Sequence, residues 1–76
     1  MPTPNPREQE AIDKLGQNVR KYRIRMGFTI VKLSEECGVE YTTISKIERG
    51  VLNTSISMIV KLARALKIEP GQLLED

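Results

Sequence analysis

Residues 30–47 read IVKLSEECGVEYTTISKI, and their spacing predicts two short helices joined by a three-residue turn. The first helix can be capped by Thr29 and stopped by Gly38, because threonine is a good N-cap and glycine tolerates the left-handed conformation that ends many helices. Ser34 is small enough to let the two helices approach each other. Three side chains of the first helix are candidates for burial: Val31, Leu33 and Cys37.

The second helix of this pair spans about residues 41–49 and has one apolar face, formed by Ile44 and Ile47. The spacing of the small residue, the glycine and the branched residues fits the helix-turn-helix arrangement, in which the second helix is presented to the major groove of DNA. The side chains left pointing outward are Tyr41, Thr42, Thr43, Ser45 and Lys46. The segment therefore predicts a helix whose outer face can meet DNA.

A longer helix precedes this pair, because apolar residues recur at spacings of three and four through residues 12–26. Asn5, Pro6 and Glu8 supply its start: a cap, a proline suited to the first helical position and a glutamate that can reach back. Gly16 lies within this helix, at a cost of about 1 kcal/mol relative to alanine. Gly27 is the predicted end.

Two more elements follow the pair. A fourth helix can be capped by Ser55, and its predicted apolar face is wide: Ile56, Ile59, Val60, Leu62, Ala63 and Leu66. Glu69 and Pro70 then open a last short helix that contains Leu73 and Leu74. No strand-like alternation occurs, so the sequence predicts an all-α fold with five helices.

Length and composition exclude several classes of protein. The chain has 76 residues, enough for one domain, and we expect residues 1–10 to be a mobile segment leading into the first helix and residues 11–76 to form the domain. Without a membrane span or a signal peptide, the expected location is cytoplasmic. Cys37 is the only cysteine and histidine is absent, which argues against disulfides, the usual zinc sites and imidazole catalysis. We expect no enzyme activity, metal, cofactor or small-molecule ligand.

The net charge of +2 is distributed unevenly along the chain. Residues 14–67 carry eleven basic and four acidic side chains, a net charge of +7, whereas residues 1–13 sum to −2 and residues 68–76 to −3. A basic body with acidic ends is expected if a central surface meets a polyanion. On charge alone, a solvated surface of mixed charge explains the pattern equally well.

About residues 15–74 resemble the phage Cro and CI-type repressors and their bacterial relatives of the XRE group. The resemblance lies in the segments LGQNVRKYR, GFT, LSEECGVEYTTISKIERG and SISMIVKLARALKI. It implies a five-helix, lambda-repressor-like domain that binds operator DNA as a homodimer, reads bases with the third helix and represses transcription. In the family pattern, an arginine of the first helix pairs with the glutamate of IERG, and those positions are Arg23 and Glu48 here.

Two positions depart from the family pattern. The residue after the threonine of GFT is usually glutamine, and Ile30 in its place removes a contact to DNA. Glu40 precedes the reading helix where serine or threonine is common, so it caps poorly and places a negative charge near phosphates. Both departures bear on docking and affinity, and neither removes the polar face of the third helix.

The candidate DNA contacts divide by role, because phosphate contacts fix position whereas contacts to base edges select sequence. The candidates for base contact lie on the reading helix: Tyr41, Thr42, Thr43 and Lys46. The candidates for phosphate contact lie at the starts of the second and fourth helices and in the loop after the third: Thr29, Lys32, Asn53 and Ser55. A solvated face is the alternative for the first set, although a surface selected only for stability would avoid threonine.

The expected partner is double-stranded DNA with a palindromic operator, since one such domain contacts one half-site and two half-sites lie about 34 Å apart. Ile68, Leu73 and Leu74 are the candidates for the dimer seam, and filling the core is the alternative use of these side chains. Cys37 fits a small core residue better than a reactive thiol. A protein-interaction module, such as an antitoxin-like component that binds a partner protein, is the alternative function.

Overall fold

The computed structural model describes residues 3–76, which form four α-helices and a C-terminal 3₁₀ helix. In chain order the elements are α1 (Pro6–Arg25), α2 (Ile30–Cys37), α3 (Tyr41–Glu48), α4 (Ile56–Leu66) and the 3₁₀ helix (Pro70–Leu74). No strand occurs within the described residues, which confirms the all-α prediction. α1 packs against α3 and the 3₁₀ helix, and α4 packs against α2 and the 3₁₀ helix.

The prediction of five α-helices is wrong in its last element, which is a 3₁₀ helix. Five residues provide too few i→i+4 pairs for an α-helix, and the Gln72 backbone amide donates to the Glu69 carbonyl, three residues back. The Asn18 side-chain amide donates both of its hydrogens to carbonyls of this end of the chain, at 2.9 Å to Leu73 and 2.7 Å to Glu75. Bonds to α1 therefore replace the bonds that a longer helix would make.

α1 begins where the capping residues predict. The Asn5 side chain accepts from the Glu8 backbone amide at 2.9 Å, and the Asn5 backbone amide donates to the Glu8 carboxylate at 3.0 Å. Residues 6–10 are thus the first turns of α1. The expected mobile segment includes Met1 and Pro2, which lie outside the described residues.

α1 continues through Gly16 because that glycine sits where α1 crosses the end of α3. A Cβ atom built on Gly16 would lie closer than 3.0 Å to the carbonyl oxygen of Ile47 and 3.0 Å from that of Glu48. Side chains do not tolerate such distances, and backbone carbonyls cannot rotate away. The glycine that weakens α1 locally is therefore what lets α1 and α3 pack closely.

The core draws on every element of the fold. Its members are Leu15, Val19, Tyr22, Leu33, Ile44, Ile47, Ile59, Leu62, Ala63, Leu66 and Leu73. Three side chains that the periodicity assigns to buried faces are exposed instead, so those assignments are wrong: Val31 is 52% exposed, Ile56 is 74% exposed and Val60 is exposed as well. The buried stripe of α4 runs through residues 59, 62, 63 and 66. Ile56 precedes that stripe by one turn, and Val60 lies at its edge.

Candidate nucleic-acid interface

The α2–turn–α3 unit has the geometry that its spacing predicts. The Thr29 side chain caps α2 by accepting from the Lys32 backbone amide at 3.0 Å. Gly38 ends α2 in the left-handed conformation, with φ 67° and ψ 33°, and only glycine adopts this conformation freely. Glu40 precedes α3 and makes no side-chain capping bond, as expected from its poor match to a cap. The turn therefore depends on Gly38 rather than on a cap of α3.

One face of α3 packs into the core, and the opposite face is exposed to solvent. Ile44 and Ile47 are fully buried. Three of the four candidates for base contact, Tyr41, Thr42 and Lys46, are exposed, while Thr43 is half-buried. Residues 42 and 46 lie four positions apart and share one face, which leaves a polar surface about one turn long available to a ligand.

Arg23 and Glu48 form the ion pair that the resemblance implies. Arg23 Nε donates to Glu48 Oε2 at 2.7 Å and Nη2 donates to Oε1 at 3.1 Å, while Nη1 donates to the Phe28 carbonyl at 2.9 Å. The two side chains are only 13% and 7% exposed, and the hydrogen bond to Glu48 raises the pKa of Arg23. This bidentate contact ties α1, the α1–α2 loop and the last turn of α3 together.

The four candidates for phosphate contact lie where the sequence places them, and two of them already act as caps. Thr29 Oγ1 accepts from the Lys32 amide, and Ser55 Oγ accepts from the Met58 amide at 3.1 Å. Each hydroxyl keeps its hydrogen for donation to a phosphate oxygen. Lys32 Nζ lies 3.2 Å from Glu36 Oε1 in an exposed pair, which is weak enough to be exchanged for a phosphate.

The loop between α3 and α4 carries Asn53, which is exposed. Within the described chain, the backbone amides of residues 52–55 make no hydrogen bond. Leu52 is partly buried and packs on the core. The loop therefore contains an exposed amide side chain and several backbone N–H donors without a partner in the described chain, and both kinds of group can donate to phosphate oxygens.

Sequence reasoning missed a contact that reaches this loop from α1. Gln9 Nε2 donates to the Gly50 carbonyl at 3.0 Å and to Asp13 Oδ1 at 2.8 Å. The four-residue spacing of Gln9 and Asp13 places them on one face of α1, but nothing in the sequence indicates a partner 41 residues away. The N-terminal half of α1 thus lies against the loop that follows the reading helix.

One of the three predicted dimer-seam residues is not available for a seam. Leu73 is fully buried in the core of the same chain, because the 3₁₀ helix turns it inward toward α1 and α4. Ile68 is half-buried and Leu74 is exposed. Val60 is not identified as a surface residue from the sequence, but it is exposed and lines one shallow groove with Ile68, Ala63, Arg64 and Pro70.

Cys37 carries the only thiol of the sequence and is half-buried beside the core. Cys37 packs against the core, and this burial raises the pKa of its thiol. Residues 3–76 bring together no group of three potential metal ligands. No helix among them is long and apolar enough to cross a membrane.

Comparison with known proteins identifies similar sequences and structures. The sequence model of the helix-turn-helix family HTH_3 matches residues 19–73. The control protein C.BamHI of Bacillus amyloliquefaciens is 41% identical over 61 residues, which cover 79% of this chain and 75% of that protein. The crystal structure of the hypothetical transcription factor NHTF from Neisseria is 35% identical, with a TM-score of 0.85 over 99% of this chain and 86% of that one. The structure of SinR, described as the master regulator for biofilm formation, in complex with DNA is 32% identical, with a TM-score of 0.77 over 80% of this chain and 98% of that one.

Proposed function

The chain belongs to the helix-turn-helix family and is a DNA-binding transcriptional regulator, and from this premise we propose that it is a cytoplasmic repressor that binds a palindromic operator as a homodimer. The observation that carries the proposal is the outer face of α3. This face is polar and solvent-exposed, while the opposite face is fixed by two buried isoleucines and by the Arg23–Glu48 pair. A rigid helix with a free polar face fits the major groove.

Base selection is proposed to come from four side chains of α3. Lys46 is exposed and can donate to guanine O6 or N7. Thr42 offers a hydroxyl and a methyl group, which suit adenine edges and the thymine methyl. Thr43 is half-buried and reaches a base only at its exposed edge, and Tyr41 at the start of α3 can reach a base or the backbone.

The phosphate contacts that position the protein on DNA are proposed to come from the starts of α2 and α4 and from the loop before α4. Thr29 and Lys32 would hold one phosphate region, and Asn53 and Ser55 would hold another. The backbone amides of residues 52–55, which have no hydrogen-bond partner in the described chain, support this role because backbone N–H groups commonly donate to phosphate oxygens. These contacts carry no sequence information and should weaken with salt.

The dimer seam is proposed at the groove between α4 and the 3₁₀ helix rather than at the buried Leu73. Val60 and Ile68 supply exposed or half-exposed apolar surface there. Leu74 is exposed as well, but it lines a different groove with residues of α1 and the α3–α4 loop. A two-fold axis at this groove would pair the same surface on both copies. Val60→Lys should then convert the dimer to a monomer in sedimentation velocity, with Ile24→Lys, an exposed apolar position on α1, as the matched control.

Selection of duplexes from a random library tests the proposed function directly. The expected result is enrichment of an inverted repeat whose half-sites are centred one helical turn apart, about 10 base pairs. The control is the Thr42→Ala, Lys46→Ala double variant, which keeps every buried contact of α3 and should lose the enriched sequence. Failure of the parent protein to enrich any sequence would refute operator recognition.

A further inference from the structure

The N-terminal half of α1 makes a specific contact with the loop that follows the reading helix. Gln9 uses both hydrogens of its side-chain amide, donating one to Asp13 Oδ1 and one to the Gly50 carbonyl. Asp13 is also close to the loop itself, since a Cβ atom built on Gly50 would lie 2.5 Å from Asp13 Oδ1. The loop backbone is therefore held against α1 at Gly50, two residues after the end of α3.

The held residue controls the direction of the loop. Gly50 has a φ of 71°, a left-handed conformation that turns the chain away from α3. The next amide, that of Val51, donates back to the Lys46 carbonyl at 3.0 Å. Beyond Val51, the backbone amides of residues 52–55 have no partner in the described chain, so the loop contains no hydrogen bond of its own up to the Ser55 cap.

Two anchors remain for this loop, and both lie before Asn53 in the chain. Leu52 packs partly on the core, and Gly50 is fixed by Gln9. The Gln9 bond is partly buried, and one groove is lined by Gln9 and Ile12 of α1 together with residues 50–53. Asn53, the candidate phosphate contact, is next to Leu52 and belongs to this groove.

We propose that Gln9, oriented by Asp13, is a positioning residue for DNA binding that holds the α3–α4 loop in the conformation in which Asn53 and the adjacent amides meet a phosphate. This inference rests on the proposed function. Pre-ordering a loop raises affinity because the ordering entropy is not lost on binding. Gln9 and Asp13 lie before residue 19, where the match to the family model begins.

The test compares the parent protein with the Gln9→Met variant, both as the full chain. Methionine keeps the side-chain length and the apolar contacts of Gln9 but cannot donate a hydrogen bond to the Gly50 carbonyl. Gln17→Met on the exposed side of the same helix is the matched control. We expect Gln9→Met to weaken binding to the selected operator and to a scrambled duplex by the same factor, about 3- to 10-fold per half-site, the effect of one lost hydrogen bond. The ratio of the two affinities should not change, since a phosphate contact carries no sequence information.

A second readout separates positioning from stabilisation. Without DNA, the ¹⁵N order parameters of residues 51–54 should fall toward the flexible range, below about 0.6, in Gln9→Met, while those of α3 stay near 0.85. Unchanged affinity in Gln9→Met would overturn the inference. A loss of thermal stability with unchanged loop order would overturn it too, because Gln9 would then act only on the fold. If the parent binds no duplex, the proposed function fails, and the order parameters still decide whether Gln9 holds the loop.

Discussion

Gly16→Ala sets helix propensity against packing, and the structure determines which effect dominates. Alanine is favoured over glycine inside a helix by about 1 kcal/mol, so on propensity alone the substitution should stabilise the protein. The added Cβ, however, would lie closer than 3.0 Å to the Ile47 carbonyl oxygen and 3.0 Å from that of Glu48. Both atoms belong to the backbone at the end of α3, which cannot rotate away as a side chain can.

Relief of this contact requires α1 and α3 to separate by roughly 1 Å, a change of the kind that overpacking produces at about 1 to 3 kcal/mol or more. The separation would also strain the bond between Arg23 Nε and Glu48 Oε2, which is 2.7 Å long and joins the same two helices. Because both contacts are with backbone atoms, we expect a cost of about 3 kcal/mol, the upper end of the range for overpacking. Subtracting the gain of about 1 kcal/mol in propensity leaves a net loss of about 2 kcal/mol. For a domain of this size that corresponds to a fall in Tm of about 4 to 8 °C per kcal/mol.

Urea unfolding followed by circular dichroism at 222 nm measures this change. Gly71→Ala is the matched control, because a Cβ there meets nothing within 4 Å and Gly71 does not have a positive φ. We expect the control to be stabilised by about 0.4 to 1 kcal/mol through the unfolded state. A Gly16→Ala protein as stable as the parent, or more stable, would refute the close crossing of α1 and α3.

Three further groups of side chains give testable expectations. Glu48→Ala leaves Arg23 charged and largely buried without its partner, so we expect a loss of about 3 to 5 kcal/mol, and an unchanged urea midpoint would contradict the pair's role. Lys46→Ala should relax preference at particular base pairs at a cost of about 1 to 3 kcal/mol, whereas Lys32→Ala should weaken all duplexes alike and lower the salt slope by about 1 per half-site. Library selection measures the sequence preference, and titrations at several salt concentrations measure the salt slope. Unchanged sequence preference in Lys46→Ala, or altered preference with an unchanged salt slope in Lys32→Ala, would contradict these roles. Because burial raises the pKa of Cys37, its thiolate fraction at pH 8 is reduced, and alkylation should be slower in the native protein than in urea; equal rates would contradict this.

The features that sequence reasoning predicted correctly are local ones. Asn5, Thr29 and Ser55 cap their helices through bonds that span three residues, so the sequence contains both partners within one turn. Gly38 ends α2 because its conformation is required within the turn itself. The cap at Thr29 and the turn at Gly38 fix where α2 and α3 begin and end. These boundaries are enough to predict which residues form the polar face of α3, without information from the rest of the chain.

The features that it missed depend on partners far away in sequence. Periodicity marks Ile56 and Val60 as apolar but does not show where the core ends, and both are exposed. Leu73 has the same apolar character as Leu74, yet only the packing of the 3₁₀ helix on α1 shows that Leu73 is buried. The reason for Gly16 lies in carbonyls of α3 some 30 residues later. Patterns within one helix contain no information on these contacts.

The contacts that fix α3 all lie on the side that faces the rest of the protein. Eight residues are too few for a stable helix in water, so α3 depends on tertiary contacts for its order. Ile44 and Ile47 enter the core, the close approach at Gly16 holds the last turn, and Glu48 binds Arg23 of α1. None of these contacts uses the outer face. Side chains on that face can therefore differ between proteins with little effect on folding, which is the physical condition under which one scaffold can serve many operators.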